Sequence, residues 1–322
     1  MKAYVYGANG AAIAEVAKPS AKGTEVLVRV RACGLNRADL GMTKGHVHGS
    51  AGGAGTVLGM EWAGEIADVG PQAGGLKVGD KVMGSGAAAF AEYTLADHRR
   101  LFRTPSNMNF EEACTLPIAL ATMHNAVVTV GALQPGQTVM IQGASSGVGL
   151  MALQIAKLKG AKLVVGSSTD PVRRGRLKEF GADLAVDSSD PGWVDSVLQA
   201  TSGEGVDLIV DQISGKVASH TLKATKIKGR IVNVGRLGGT HADFNFDLHA
   251  ARRISYIGVT FRTRTMDEIR EIFDEVRKDI WPAVESRKLR LPIDKVFAFD
   301  DIGKAFEHME ANKHLGKIVV TL

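Results

Sequence analysis

Six short apolar runs recur through the middle of the chain at nearly constant spacing. They are VMIQG (139–143), KLVVGS (162–167), LAV (184–186), DLIVDQ (207–212), RIVNVG (230–235) and SYIGVTF (255–261), and their starts fall 22–25 residues apart. Helix-compatible stretches separate at least the first pairs, GVGLMALQIAKLKG (147–160) and PVRRGRLKEFG (171–181). Near-continuous apolar strands alternating with helices predict a parallel sheet covered on both faces. Six strands in this rhythm match a dinucleotide-binding sheet.

The first ~115 residues follow another pattern. EVLVRVRA (25–32) alternates in strand fashion, and VLGMEWAGEIADVG (57–70) and DKVMG (80–84) are short runs cut by glycine. Short strands with such punctuation predict a small barrel-like domain. After residue 262 come a charged helical stretch, TMDEIREIFDEVRKDI, a second helix, IGKAFEHMEANK, and a strand-like end, GKIVVTL. The expected fold class is α/β, a small barrel-like β-rich domain over 1–117 completed by 262–322, with a Rossmann-type doubly wound sheet over 118–261.

Composition narrows the function classes. The 322 residues are 45% hydrophobic and 23% charged, with a net charge of +5. Basic groups such as Arg173, Arg174 and Arg176 suit a phosphorylated small molecule or a solvated surface. Only 6% of residues are aromatic, which argues against nucleic acid as a partner. The two cysteines, Cys33 and Cys114, form no CxxC pair, in keeping with a reducing compartment. Residues 113–134 carry no formal charge, but Pro117, His124 and Asn125 interrupt them, so a buried helix is expected there, not a membrane span. A cytoplasmic protein is the expectation.

GASSGVG (143–149) carries the clearest chemistry. A strand ends at Gly143, and a helix opens near Ser146. Glycines let the backbone approach a pyrophosphate, and the open N–H groups of a helix start attract the anion. Gly143, Ala144, Ser145, Ser146, Gly147 and Val148 are therefore cofactor-binding candidates. The second strand ends GSSTDPVRR. A basic group at this point suits the 2′-phosphate of NADPH, whereas an acid suits the ribose of NADH. Ser167, Ser168 and Arg173 favour NADPH, with Arg174 the alternative to Arg173. Asp170 points the other way unless it caps the next helix.

These stretches, with ACGLNRADL (32–40), GMEWAGEI (59–66), VGDKV (78–82), LPIALATMHNAV (116–127), FGAD (180–183), VDLIVDQISG (206–215) and GKIVV (316–320), stand in an order that resembles the medium-chain dehydrogenase/reductase superfamily over essentially the whole chain. Its zinc alcohol dehydrogenases place a cysteine ligand in the first of these stretches and the histidine of a GHE tripeptide in the second. Here Asn36 and Met60 stand there, and neither suits Zn²⁺. No metal ligand is therefore expected, and Glu61, the remainder of the tripeptide, is expected to pair with a buried donor.

The zinc-free branch with an LNxxD motif looks like quinone oxidoreductase of the zeta-crystallin type. That resemblance implies hydride transfer from NADPH to a quinone, or to the C=C bond of an enone, enal or enoyl thioester. It also implies that Asn36 and Thr122 serve the nicotinamide and substrate, that Val234, Gly235 and Phe261 lie along the cofactor, and that Lys317 sits near its phosphate or nicotinamide end. A homodimer through the edge strand SYIGVTF follows by the same resemblance. Two departures stand out. Gly41 replaces a frequent tyrosine, and VDSSD (186–190) lacks another near the 2′-phosphate. His46 and His48 read as solvated loop residues. The rivals are a non-catalytic NADPH-binding protein and a zinc-type alcohol dehydrogenase.

Overall fold

The computed structural model describes residues 1–49 and 51–322. The chain divides into two compact units. The first joins Met1–Ala121 to Phe261–Leu322, and the second is Thr122–Thr260.

The first unit is built on a seven-stranded sheet. Its main path runs Leu101–Arg103, Lys81–Ser85, Glu61–Val69, Glu25–Gly34, Lys317–Thr321 and Ile293–Ala298, with Tyr93–Asp97 also paired to Glu25–Gly34. Along EVLVRVRACG, Val26, Val28 and Val30 point one way into the core while Arg29 stays exposed on the other face, and Leu27 and the strand's end from Ala32 to Gly34 are buried as well. The C-terminal strand pairs antiparallel with the long strand, Val319 opposite Gly34 and Val320 opposite Cys33. On the other side Cys33 lies opposite Trp62. This register brings the ends of three strands together, with Gly34 flanked by Glu61 and Lys317. Below them Trp62, Phe90, Leu35, Ile318 and Phe306 share one core.

The second unit is a six-stranded parallel sheet. Its order is Leu184–Val186, Leu163–Ser167, Thr138–Gln142, Val206–Asp211, Thr225–Asn233 and Ser255–Gly258. The order reverses at Thr138–Gln142, the switch point of a doubly wound sheet, where such folds bind ligands beyond the strands' carboxyl ends. One strand is longer than the pattern predicts. It begins at Thr225 instead of Arg230, because its lysine-rich start alternates poorly and carries Lys228 at φ 62°. The stretch expected as one buried helix is a helix over Pro117–His124 that runs into a π-helical turn over Asn125–Thr129. Such turns interrupt helices mostly at functional sites.

Candidate active site

Glu61 is the first residue of its strand and is fully buried. A buried carboxylate is costly unless charge and hydrogen bonds answer it. Lys317 Nζ lies 2.6 Å from Glu61 Oε2, and that side chain is only 5% exposed. Asn36 Nδ2 donates to the same oxygen at 3.1 Å, and the N–H of Ile118 donates to Oε1 at 2.6 Å. Ile118 lies in the first turn of the Pro117–His124 helix, so the carboxylate also faces the positive end of that helix.

Asn36 is held from both ends of its amide. Its Oδ1 accepts from Lys317 Nζ at 2.9 Å, and Nδ2 also donates to the carbonyl of Gly34 at 3.3 Å. Gly34 makes this possible. A Cβ there would sit 3.1 Å from both Glu61 Oε2 and Lys317 Cε, and 2.5 Å from the carbonyl oxygen of Cys114. The backbone N–H of Asn36 donates to Asp39 Oδ2 at 2.7 Å.

Asp39 is fully buried, and its Oδ1 has no partner among the described residues. Burial pushes its carboxyl up to about 7, against the Asn36 N–H and the Lys317 charge, which favour the anion. The folded chain therefore holds a proton that the unfolded chain releases near the ordinary carboxylate pKa. Stability is then fullest below about pH 4 and is lost as pH rises through about 7, at up to about 1.4 kcal/mol per pH unit. Asp39→Asn keeps an acceptor for Asn36. Denaturation at pH 5 and pH 8 should show it gaining on the natural protein at the higher pH, and a parallel pH dependence of the two would contradict the assignment.

In the second unit the strand Thr138–Gln142 ends at Gly143, which takes φ 72°. A cluster of buried polar side chains holds the turn. Ser167 Oγ donates to Gln142 Oε1 at 2.7 Å and accepts from the N–H of Gly143 at 3.0 Å. Gln212 Nε2 donates to the carbonyl of Gln142 at 3.1 Å. Ser146 caps the following helix, Gly147–Leu158, its Oγ accepting from the N–H of Gly149 at 3.1 Å. Ala144 is buried, and its N–H donates to the carbonyl of Ser167 at 2.8 Å. A Cβ on Gly149 would lie 2.6 Å from the carbonyl oxygen of Gly143, so helix and strand meet there in backbone contact. The cap leaves the N–H groups of Gly147 and Val148 as first-turn donors, an arrangement able to receive an anion.

The other predicted residues are placed as follows. Ser168 Oγ lies 3.1 Å from Ser145 Oγ. Asp170 caps the Pro171–Arg176 helix by accepting from the N–H of Arg173 at 2.8 Å, and its side chain lies 3.7 Å from Arg173 Nε. Arg174 is tied to Asp187 at 2.9 Å and to the carbonyl of Ser168 at 3.0 Å. The N–H groups of Val234 and Gly235 both donate to the carbonyl of Asp211, at 2.8 and 3.1 Å. Thr122 is half-buried, in the helix before the π-turn. Phe261 lies under the guanidinium of Arg264.

Two expectations need revision. Ser167 is fully buried and spends its hydroxyl inside the turn, so it supports the cradle from within instead of meeting a phosphate. Lys317 is buried against Glu61 and Asn36, so of the two places expected for it the phosphate end is set aside and the nicotinamide end is not. Sequence reasoning also missed Asp39, Gln142, Gln212 and Asp211. The signal available for the last three was a polar residue closing an otherwise apolar strand.

Comparison with known proteins agrees with this geometry. Residues 22–106 match the model of the alcohol dehydrogenase GroES-like domain, and residues 147–278 match that of the zinc-binding dehydrogenase family. The chain belongs to the medium-chain dehydrogenase/reductase superfamily. An alcohol dehydrogenase superfamily protein from Novosphingobium aromaticivorans is 28% identical, with a TM-score of 0.89 over 100% of this chain and 99% of its own. The CurK enoyl reductase is 25% identical, with a TM-score of 0.86 over 99% of each chain. A phenolphthiocerol/phthiocerol polyketide synthase subunit of Mycobacterium tuberculosis is 29% identical over 310 residues, which span 96% of this chain and only 14% of that protein. Its relatives are dehydrogenases and reductases, and its fold is that of the nicotinamide-cofactor oxidoreductases.

The zinc implied by one family description finds no suitable donors. No group of three His, Cys, Asp or Glu able to hold a metal occurs among the described residues. Asn36 and Met60 stand at the ligand positions, and both oxygens of Glu61 are engaged. No helix among the described residues is long and apolar enough to cross a membrane.

Proposed function

We propose that this chain is a zinc-independent reductase that delivers hydride from NADPH to the activated C=C bond of an enoyl thioester, enone or enal, with quinones as the other acceptor class. The observation that carries this reading is the full-length likeness to an enoyl reductase, joined to a complete nucleotide cradle and a donor set unsuited to zinc. A bound nicotinamide supplies the hydride.

The chain's own part is binding and alignment. The N–H groups of Gly147 and Val148 receive the pyrophosphate. Gly143, Ala144, Ser145 and Ser146 shape the turn, and Ser167 stiffens it. By the family resemblance, Val234, Gly235, Phe261 and Thr122 would lie along a bound cofactor, and Asn36 would serve its nicotinamide. With a donor set unsuited to zinc, no Lewis acid polarises an unactivated ketone, so an electron-poor acceptor is favoured. Hydride would add to the β-carbon of the conjugated bond, and the enolate left behind would take its proton at the α-carbon from water. A panel of quinones, enones, enals and enoyl thioesters tests the reading by following NADPH oxidation. Turnover of enoyl thioesters or enones supports it. Turnover only of simple alcohols and ketones, with about one zinc per chain by elemental analysis, would replace it.

The preference for NADPH rests on Ser168 and Arg173, with Asp170 now seen to cap a helix. A charge-assisted contact to phosphate contributes about 1.5–3 kcal/mol. Arg173→Ala should therefore weaken NADPH roughly ten- to a hundredfold and leave NADH nearly unchanged. Ratios of kcat/KM for the two cofactors check this, and equal losses with both would exclude the 2′-phosphate contact. The strand Ser255–Gly258 closes one side of the sheet, and two copies pairing there would form the expected homodimer, which sedimentation can measure.

A further inference from the structure

A cavity of about 330 Å³ lies wholly within the first unit, near the lower end of the size range of small-molecule sites. Part of its wall is the bare backbone of Gly74 and Gly75, and nothing lies within 4 Å of the place a Cβ would take on either glycine. Another part is Trp281, which is half-buried. Phe102 stacks on its indole with ring centroids 5.0 Å apart and an interplanar angle of 20°, and Phe273 stacks on Phe102 at 4.8 Å and 16°. Turning the indole would break this series of stacks, so it is held as a fixed plane beside the cavity.

Arg99, Arg103 and Arg277 line the same space. Their charges are not matched one to one. Arg99 and Arg277 share a single carboxylate, that of Asp274, and Arg103 pairs with Asp80 at 2.9 Å. Three guanidiniums are thus paired with two carboxylates. Arg277 also donates to the carbonyls of Arg99 and Leu101, the second at 2.7 Å. Burial lowers its pKa and the charge of Arg99 adds to this, against the pull of Asp274. An anion placed here would relieve that repulsion. Arg99 is the group free to take it. Its side chain is 44% exposed, and one guanidinium nitrogen is spent on Asp274. Its other guanidinium N–H donors have no protein partner among the described residues. An open guanidinium fork receives a carboxylate or phosphate by paired hydrogen bonds, and a fixed indole receives a planar body by stacking. We propose that this cavity binds a small aromatic anion, a planar ring bearing a carboxylate or a phosphate, with the ring against Trp281 and the anionic group on Arg99.

The test uses the full chain without cofactor. The indole N–H of Trp281, identified in ¹H–¹⁵N spectra by its loss in Trp281→Phe, reports on the site, and Trp62 and Trp193 are internal references. Phenyl phosphate and benzoate should shift the Trp281 signal saturably and leave the other two in place. Inorganic phosphate, lacking the ring, should bind about two- to tenfold more weakly than phenyl phosphate. Benzyl alcohol, which has the ring without the charge, should not saturate. Arg99→Gln leaves Asp274 paired with Arg277, so the fold should persist, and both aromatic anions should bind about three- to tenfold more weakly. Gly147→Val alters an anion-binding turn in the other unit and should leave the Trp281 titration unchanged. Saturation by only one of the two aromatic anions supports the proposal and names the anionic group. A Trp281 signal that moves with no probe, moves equally in natural and Arg99→Gln proteins, or stops moving in Gly147→Val would overturn the site. Equal affinity for phenyl phosphate and inorganic phosphate would overturn the part given to the ring, and equal affinity for phenyl phosphate and benzyl alcohol the part given to the charge. No readout here involves turnover, so the outcome is independent of the reductase reading.

Discussion

Gly147→Val should abolish useful cofactor binding while leaving the fold intact. Gly147 is the first residue of the helix after the cradle and is buried. Its N–H and that of Val148 are the first-turn donors left open once Ser146 has capped Gly149. A pyrophosphate must come to hydrogen-bond distance of that backbone, and a branched side chain occupies the space it needs. Loss of one or two charge-assisted bonds, at about 1.5–3 kcal/mol each, weakens binding by at least roughly tenfold and up to roughly twenty-thousandfold. Valine is no worse a helix residue than glycine, so thermal stability without cofactor should hardly change. Gly149→Val supplies the contrast. Its side chain would meet the Gly143 and Ala144 backbone at 2.6–2.8 Å, so this variant should lose stability first. Titration and melting curves for the two variants separate the roles. Natural affinity in Gly147→Val would reduce the loop to a turn.

The cradle could be read from the sequence because its requirements are local. A strand end, a glycine with positive φ, a serine cap and a helix start occupy seven consecutive positions. The parallel sheet was legible for a similar reason, since strands buried on both faces are continuously apolar. The lysine-rich start of the Thr225–Asn233 strand escaped that rule because Lys226, Lys228 and Arg230 interrupt the apolar run.

What the sequence could not supply was partnership. That Glu61 needed a buried donor followed from its apolar setting, but Lys317 lies 256 positions away and comes close only through strand pairing. Gly34 likewise carried no signal of its own in the sequence. In the folded chain it is the gap that lets a carboxylate and a lysine flank one strand. Ser167 illustrates the opposite error: its position suggested a ligand contact, and nothing local revealed that Gln142 would claim its hydroxyl. Asp39 stood in the sequence only as the last letter of the LNxxD motif, and its complete burial is what shows how costly its charge is.

Lys317→Met should be among the most destabilising single changes in the first unit. It leaves Glu61 with two N–H donors, from Ile118 and Asn36, but no cation. Breaking a buried ion pair from one side costs about 3–5 kcal/mol, because the remaining charge has lost its counter-ion and cannot reach water. Adding Glu61→Gln should recover most of the deficit in denaturant unfolding, since a neutral pair can replace a buried ionic one at little cost. A deficit below about 1 kcal/mol at pH 8, or one that the second substitution deepens, would mean that the carboxylate is carried by the backbone donors and not by the lysine.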